Sequence, residues 1–406
     1  MAFADRLDAW VAEGRGPALA AALAFVAALP GAVALPPLDR DEARFAQATA
    51  QMLESGDFVS IRFQDAPRFK KPVGIHWLQA AAVATLSRVQ DRRIWAWRVP
   101  SLLGAMLAAA TCVWGAAAFL RPRPAFAAGA MLAGGLLFST EAAIAATDAV
   151  LTGAVTLMMA ALARLYLAAR EGPPTSWRSK ALLWAGLILA VMVKGPIGPM
   201  ILATTLIALA LWERRARWIA SLGWGWGLIA LIAVAGPWAL AITVATDGAF
   251  WSGAVGGDLA AKLASGQEGH GAPPGFHAVL LPLTLFPACL LLPAAAAIAW
   301  RRRAEPAVRF ALCWLVPAWL VFEAAPTKLV HYTLPLFAAL AWLMARAVSE
   351  PIGRASRLVG AILVGGVAIA LAAAGPWAMV RLGDFSALGC AVLAGVLFLL
   401  AGAAGS

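Results

Sequence analysis

The stretch "VGIHWLQAAAVATLSRVQ", residues 73–90, is apolar enough to be read as a membrane crossing. Eighteen apolar residues is about the length at which a run becomes a candidate. If it crosses, every later loop changes side. Arginine placement decides against it. With residues 73–90 lying along the surface, five loops fall on the side of the N-terminal tail: "RPRP" (121–124), "AAREGPPTSWRSK" (168–180), "ERRAR" (213–217), "RRRAEPAVR" (301–309) and "ARAVSEPIGRASR" (345–357). With Arg6 and Arg15 they carry more than half of the 32 lysines and arginines. The later opposite loops carry only Lys194, Lys262, Lys328 and Arg381. Lysine and arginine concentrate in cytoplasmic loops, which places the N-terminus in the cytoplasm. The first opposite loop is also basic, but long loops translocate largely regardless of charge.

Composition agrees with a membrane chain. The 406 residues are 62% apolar and 13% charged, against about 25% charged in a soluble domain. Long apolar runs predict an all-α, polytopic integral membrane protein; a β-barrel would alternate over short strands. About twelve segments are expected, roughly at 17–36, 97–119, 124–141, 147–169, 180–193, 196–212, 218–245, 276–300, 307–323, 332–348, 358–379 and 385–403. The fifth and sixth are joined by the break "KGPIGP". The first lacks a clean small-residue cleavage site and reads as a retained anchor. One membrane domain over 1–406 is expected, with no soluble domain or internal repeat and two sizeable outer loops, 38–96 and 246–275. The net charge of +11 reads as topology, not as affinity for nucleic acid. Cys112, Cys289, Cys313 and Cys390 lie in or beside apolar runs without a CxxC pair, which suits reduced packing residues.

Under this topology the polar motifs fall on the outer side. "DRDEARFAQ" places Asp41, Glu42 and Arg44 just past the first segment, at a helix start that Asp39 or Asp41 can cap. A carboxylate there can hold a metal, accept a proton or pair with an arginine; a solvated helix start is the plainer reading. "RFKKPVGIHW" supplies Lys70 and Lys71, suited to an anionic headgroup or phosphate. Generic attraction to anionic lipid is the alternative. Asp148, in "AATDAVLTG", is an ionisable group at a helix end, or simply a helix cap. Lys194 lies at the "KGP" break, lining a cavity or snorkelling. Glu268, His270 and His277 in the second loop are possible metal ligands. Lys328, His331 and Tyr332, in "PTKLVHYTLP", can bind phosphate and sugar or anchor the interface. Each signal alone is modest. Together they ring one outer cavity suited to a phosphate-bearing substrate and a polar acceptor.

The ordered series "DRDEARFAQATAQMLESGDFV", "FKKPVGIHWLQA", "WRVPSLLGA", "ATDAVL", "VKGPIGP", "GHGAPPGFH" and "PTKLVHYTLPLFAALA" resembles the GT-C glycosyltransferases, in the branch of bacterial aminoarabinose transferases and protein O-mannosyltransferases. The resemblance implies surface-lying helices in the first periplasmic loop. It also implies a bacterial inner-membrane enzyme with a periplasm-facing site that moves a sugar from a polyprenyl (undecaprenyl) phosphate to lipid A, lipopolysaccharide core, another glycolipid or a protein. Membrane lipids are partners; nucleic acid is not. By motif, Asp41 resembles the acidic residue needed for transfer and Arg44 its partner. Lys71 matches the phosphate-contacting lysine before proline, Asp148 the aspartate of the "TD" motif, and Lys328 and Tyr332 the late "KLxxY" pair. Lys70, Lys194 and His331 complete the expected donor-binding set.

Two departures stand out. Lys70 replaces a glutamate common before the "KP" lysine in aminoarabinose transferases. That weakens a divalent-metal site, for which Glu42, Glu268 and His270 are the candidates. The family also often continues beyond these helices, so a chain stopping at "LFLLAGAAGS" reads as a minimal member or a shortened one. The competing reading is a transporter or flippase of a lipid-linked sugar. It requires ionisable residues near the bilayer middle, whereas the apolar segments here are nearly free of charge. A non-catalytic assembly partner is a third reading.

Overall fold

A computed structural model describes residues 3–37, 40–171, 176–267 and 269–382. The chain is helical nearly throughout; among the described residues the only named strands are the pairs Arg62–Phe63 and Ala66–Pro67. Six helices are long and apolar enough to cross a membrane: Asp8–Ala34, Ile94–Ala116, Asp148–Arg170, Trp224–Ala245, Pro306–Ala324 and Arg354–Ala374. Two bent pairs, Pro122–Ala133 with Leu136–Ala142 and Phe276–Thr284 with Ala288–Arg301, raise the number to as many as eight. The protein is therefore a multi-pass membrane protein, and among the described residues length and composition do not confirm the expected count of about twelve. The fifth and sixth segments form the helices Trp177–Lys194 and Ile197–Glu213, and residues 332–348 hold a helix over Phe337–Ala347; none of the three is among the spans just named. Segment 385–403 lies outside the described residues.

Small residues let the central helices touch. Gly16, Ala20, Ala24, Ala28 and Ala32 recur every fourth position of the Gly16–Ala34 helix and are all buried. At the crossing of Ile94–Ala116 and Asp148–Glu171, a Cβ on Gly153 would lie 2.5 Å from the Gly104 carbonyl oxygen. Without side chains there, the backbones approach to van der Waals contact, the usual basis of helix association in lipid.

Residues 73–90 settle as the arginines indicate. They form a helix only over Gly74–Leu86. Thirteen residues rise about 20 Å, short of a hydrocarbon core of about 30 Å. One face, with Ile75, His76, Gln79 and Val83, is buried, while Trp77, Leu78 and Leu86 stay exposed. The rest of the first loop is the Arg40–Ser55 helix, the hairpin and the segment carrying Lys70 and Lys71.

Charges at the opposite end of the central helices are paired. Glu213 accepts hydrogen bonds from Tyr166 Oη at 2.5 Å, Arg170 at 2.6 Å, and Arg309. Arg346 makes two 3.0 Å bonds to Glu305.

Candidate active site

Three chain segments bring charge to one end of the helices. The first helix start supplies Asp41, whose carboxylate lies 3.5 Å from both Arg44 and Arg68. Burial opposes its charge, but Lys71, Arg68 and Arg44 outweigh it and hold the Asp41 carboxyl below the usual range. The second supplies Lys71, whose ammonium lies 4.8 Å from the centre of the Phe45 ring. Burial, and then repulsion from Lys194, push Lys71 down to about 8 against the pull of Asp148 and Asp41. One ammonium thus lies within electrostatic reach of both predicted carboxylates.

The third is the start of the Asp148–Glu171 helix. Asp148 is buried and meets Lys194 Nζ at 2.5 Å. The two come from neighbouring helices, one beginning and one ending here, so the "TD" and "KGP" motifs form a single ion pair. Asp148 Oδ2 also accepts from Thr147 Oγ1 at 3.0 Å and lies 3.8 Å from His331 Nε2. His331 Nδ1 is 3.4 Å from Glu141, and the Tyr332 ring lies 5.4 Å from Lys194 Nζ.

Lys70 and Lys328 are placed differently from expectation. Lys70 is 3.9 Å from Asp258, which also binds Lys262 at 2.7 Å; it links the two large loops. Lys328 is buried and its ammonium donates to the carbonyls of Ala272 and Ala325. It fastens the second loop with two of its three N–H donors.

Among the described residues Glu42 and His270, two of the three expected metal ligands, do not form a ligand group. Glu42 is fully buried and bound by Arg98 through 2.7 and 3.0 Å hydrogen bonds. Its oxygens serve that pair and the Ala145 amide. His270 is exposed, and Glu268 and the capping candidate Asp39 lie outside the described residues. Among the described residues a different trio, Glu141, Asp148 and His331, brings one ligand atom each within 4.8 Å of one another. There Lys194 already supplies a cation to Asp148.

Several residues were not legible as functional. Arg98 uses all its donors on Glu42 and on the carbonyls of Gly31, Ala32, Leu35 and Pro36. The available signal was a charge at the start of an apolar run. Arg68, two residues before Lys70, joins Asp41. Glu141 lay inside an apolar segment and went unremarked.

With this geometry in view, the comparisons are specific. The family described as "Dolichyl-phosphate-mannose-protein mannosyltransferase" matches residues 70–239. The crystal structure of ArnT from Cupriavidus metallidurans bound to undecaprenyl phosphate superposes with a TM-score of 0.78 at 21% identity, covering 94% of this chain and 70% of that one. At that identity the likeness shows a shared fold. An undecaprenyl phosphate-alpha-4-amino-4-deoxy-L-arabinose arabinosyl transferase of Pseudomonas paraeruginosa is 30% identical over 344 residues, 82% of this chain and 60% of that protein. Its Shewanella sediminis counterpart is 28% identical over 310 residues, 76% and 55% respectively. The chain thus spans a little over half the length of the curated relatives it matches. A more distant likeness of fold reaches the Archaeoglobus fulgidus oligosaccharyltransferase, with a TM-score of 0.55 and 11% identity.

Proposed function

We propose that this protein transfers a sugar from a polyprenyl-phosphate donor to an acceptor at the membrane–water boundary. The observation that carries the reading is Lys71, which shares the Phe45 ring with Arg68 and is drawn electrostatically by both Asp41 and Asp148. As the bond from the anomeric carbon to the phosphate oxygen breaks, negative charge grows on the phosphate. Preorganised cations stabilise that charge most when the site excludes water. Lys71, Arg68 and Arg44 take this role. Lys194 pairs with Asp148 and orients it.

Asp41 faces the acceptor. Its depressed basicity in the free protein suits orienting an acceptor that is already anionic. Drawing its cations onto an incoming phosphate raises that basicity, which suits accepting a proton from a hydroxyl. The acceptor is a glycolipid, such as lipid A or lipopolysaccharide core, or a protein. Arginine placement supports a bacterial inner-membrane location with the N-terminus in the cytoplasm and the site facing the periplasm. A flippase is disfavoured because this cluster sits at helix ends on one side.

The test is transfer of labelled sugar from a panel of polyprenyl-phosphate donors to a crude envelope-lipid fraction by the protein in lipid. Labelled product is expected; flipping of donor without product would replace this reading with transport. Lysines and arginines supply the cationic charge, so we expect transfer to survive EDTA within about twofold. Loss of activity restored by one divalent ion would reverse that.

The pH profile offers a second check. Lys71 is depressed to about 8, so it loses its proton as pH rises through that value. Because kcat/KM reports the free enzyme, it should fall about tenfold per unit above pH 8. Lys71→Arg should keep binding phosphate and lose the alkaline limb, since guanidinium does not titrate there. An unchanged limb in that variant would assign it to another group.

A further inference from the structure

We propose that Gln79 is a positioning residue that fixes Asp148 relative to Lys71 and Asp41, acting through the Ala145 peptide. The inference rests on the transferase reading above. Residues 143–147, just before Asp148, form turns and bends with no regular helix. Their buried peptides therefore need partners from elsewhere. The Ala145 N–H donates to Glu42 at 2.8 Å, and the Ala145 carbonyl accepts from Gln79 Nε2 at 3.3 Å. Ser101 donates to the next carbonyl, at Ala146, at 3.3 Å. Side chains from three helices thus hold the segment that carries Asp148.

The Gln79 amide has only one workable orientation. A carbonyl cannot donate, so the nitrogen must face Ala145. Gln79 Oε1 then faces Thr49, whose hydroxyl donates to it at 2.8 Å. That hydroxyl has a single proton, so the 2.8 Å contact with His76 Nδ1 must be an imidazole N–H donating to Thr49. Burial, with Arg68 and Lys71 nearby, pushes His76 down to about 3, so the ring stays neutral in this tautomer. The chain from His76 through Thr49 and Gln79 to Ala145 runs in one direction, each hydrogen bond with one donor and one acceptor.

The helix bearing Gln79 is itself set tightly. It begins three residues after Lys71, and a Cβ on Gly74 would lie 2.5 Å from the carbonyl oxygen of Met192, two residues before Lys194. The Gly74–Leu86 helix is therefore registered against the Lys194 helix through Gly74 and against the Asp148 segment through Gln79. Glu42, bonded to the amide of the same residue, is the chain neighbour of Asp41. The backbone of one residue, Ala145, ties all three charge-bearing segments together.

The experiment compares wild type, Gln79→Met and Thr49→Val by steady-state transfer in lipid, normalised to folded protein by thermal melting. Loss of geometry lowers the rate of the chemical step more than binding. Gln79→Met is expected to lower kcat per folded molecule about 10- to 100-fold with donor KM within about threefold. Thr49→Val should move kcat the same way by less. Unchanged kcat per folded molecule, or a raised KM with unchanged kcat, overturns the proposal. An inactive wild type sinks the transferase reading instead. The titration of 13C-methylated Lys71, assigned with Lys71→Arg, then decides: it is expected to move in Gln79→Met, and an unmoved curve overturns the inference.

Discussion

Replacing Arg98 with methionine is expected to destabilise the protein by about 3–5 kcal/mol, the cost of leaving a buried carboxylate without its partner. Both side chains of the Arg98–Glu42 pair are fully buried. Arg98 also satisfies the carbonyls of Ala32, Leu35 and Pro36, at and just past the end of the Gly16–Ala34 helix. Removing it strips the Glu42 charge of its partner and leaves those three carbonyls without this donor, while the Gly31 carbonyl keeps the Leu35 amide. The double variant Arg98→Met/Glu42→Leu removes the uncompensated charge and should recover part of the loss, because the carbonyls and the Ala145 amide stay unserved. Thermal unfolding in detergent checks both. A single variant as stable as wild type would mean water replaces the guanidinium.

The second large effect falls on chemistry. Asp41→Asn keeps the shape of the side chain and removes its charge from among Arg44, Arg68 and Lys71. We expect kcat for transfer to fall about 10²- to 10⁴-fold, with stability nearly unchanged. A raised donor KM with unchanged kcat would make Asp41 a binding group, and equal transfer would remove it from the site. Asp57 is the internal control. Its carboxylate accepts the amides of Val59 and Ser60 at 2.9 Å in a turn of the same loop. Asp57→Asn should leave transfer within about twofold.

The sequence by itself determined the solvent. Apolar runs of membrane length can only be helices in lipid, because each backbone group must be satisfied within its own segment. Arginine asymmetry predicts a side for each loop, and it reads residues 73–90 as a surface segment, where the helix over Gly74–Leu86 is too short to cross. Motifs that lie far apart in the chain, around Asp41, Lys71, Asp148 and Lys194, were legible as one-sided because that side follows from counting crossings.

Tertiary structure alone decided which charges meet. Asp148 and Lys194 are 46 positions apart, and no spacing rule links a residue that starts one helix to one that ends the next. Glu42 and Asp41 are adjacent, and the sequence offers both as site carboxylates. On a helix, neighbouring residues point about 100° apart. One is therefore turned into the core against Arg98 and the other toward the cations. Lys328 and Lys71 look equivalent as lysines near prolines, yet one donates to two backbone carbonyls and the other lies over the Phe45 ring, under the electrostatic pull of Asp148 and Asp41. A sequence lists the groups available, but desolvation makes their energy depend on the partner each one reaches, and only the packed fold supplies that partner.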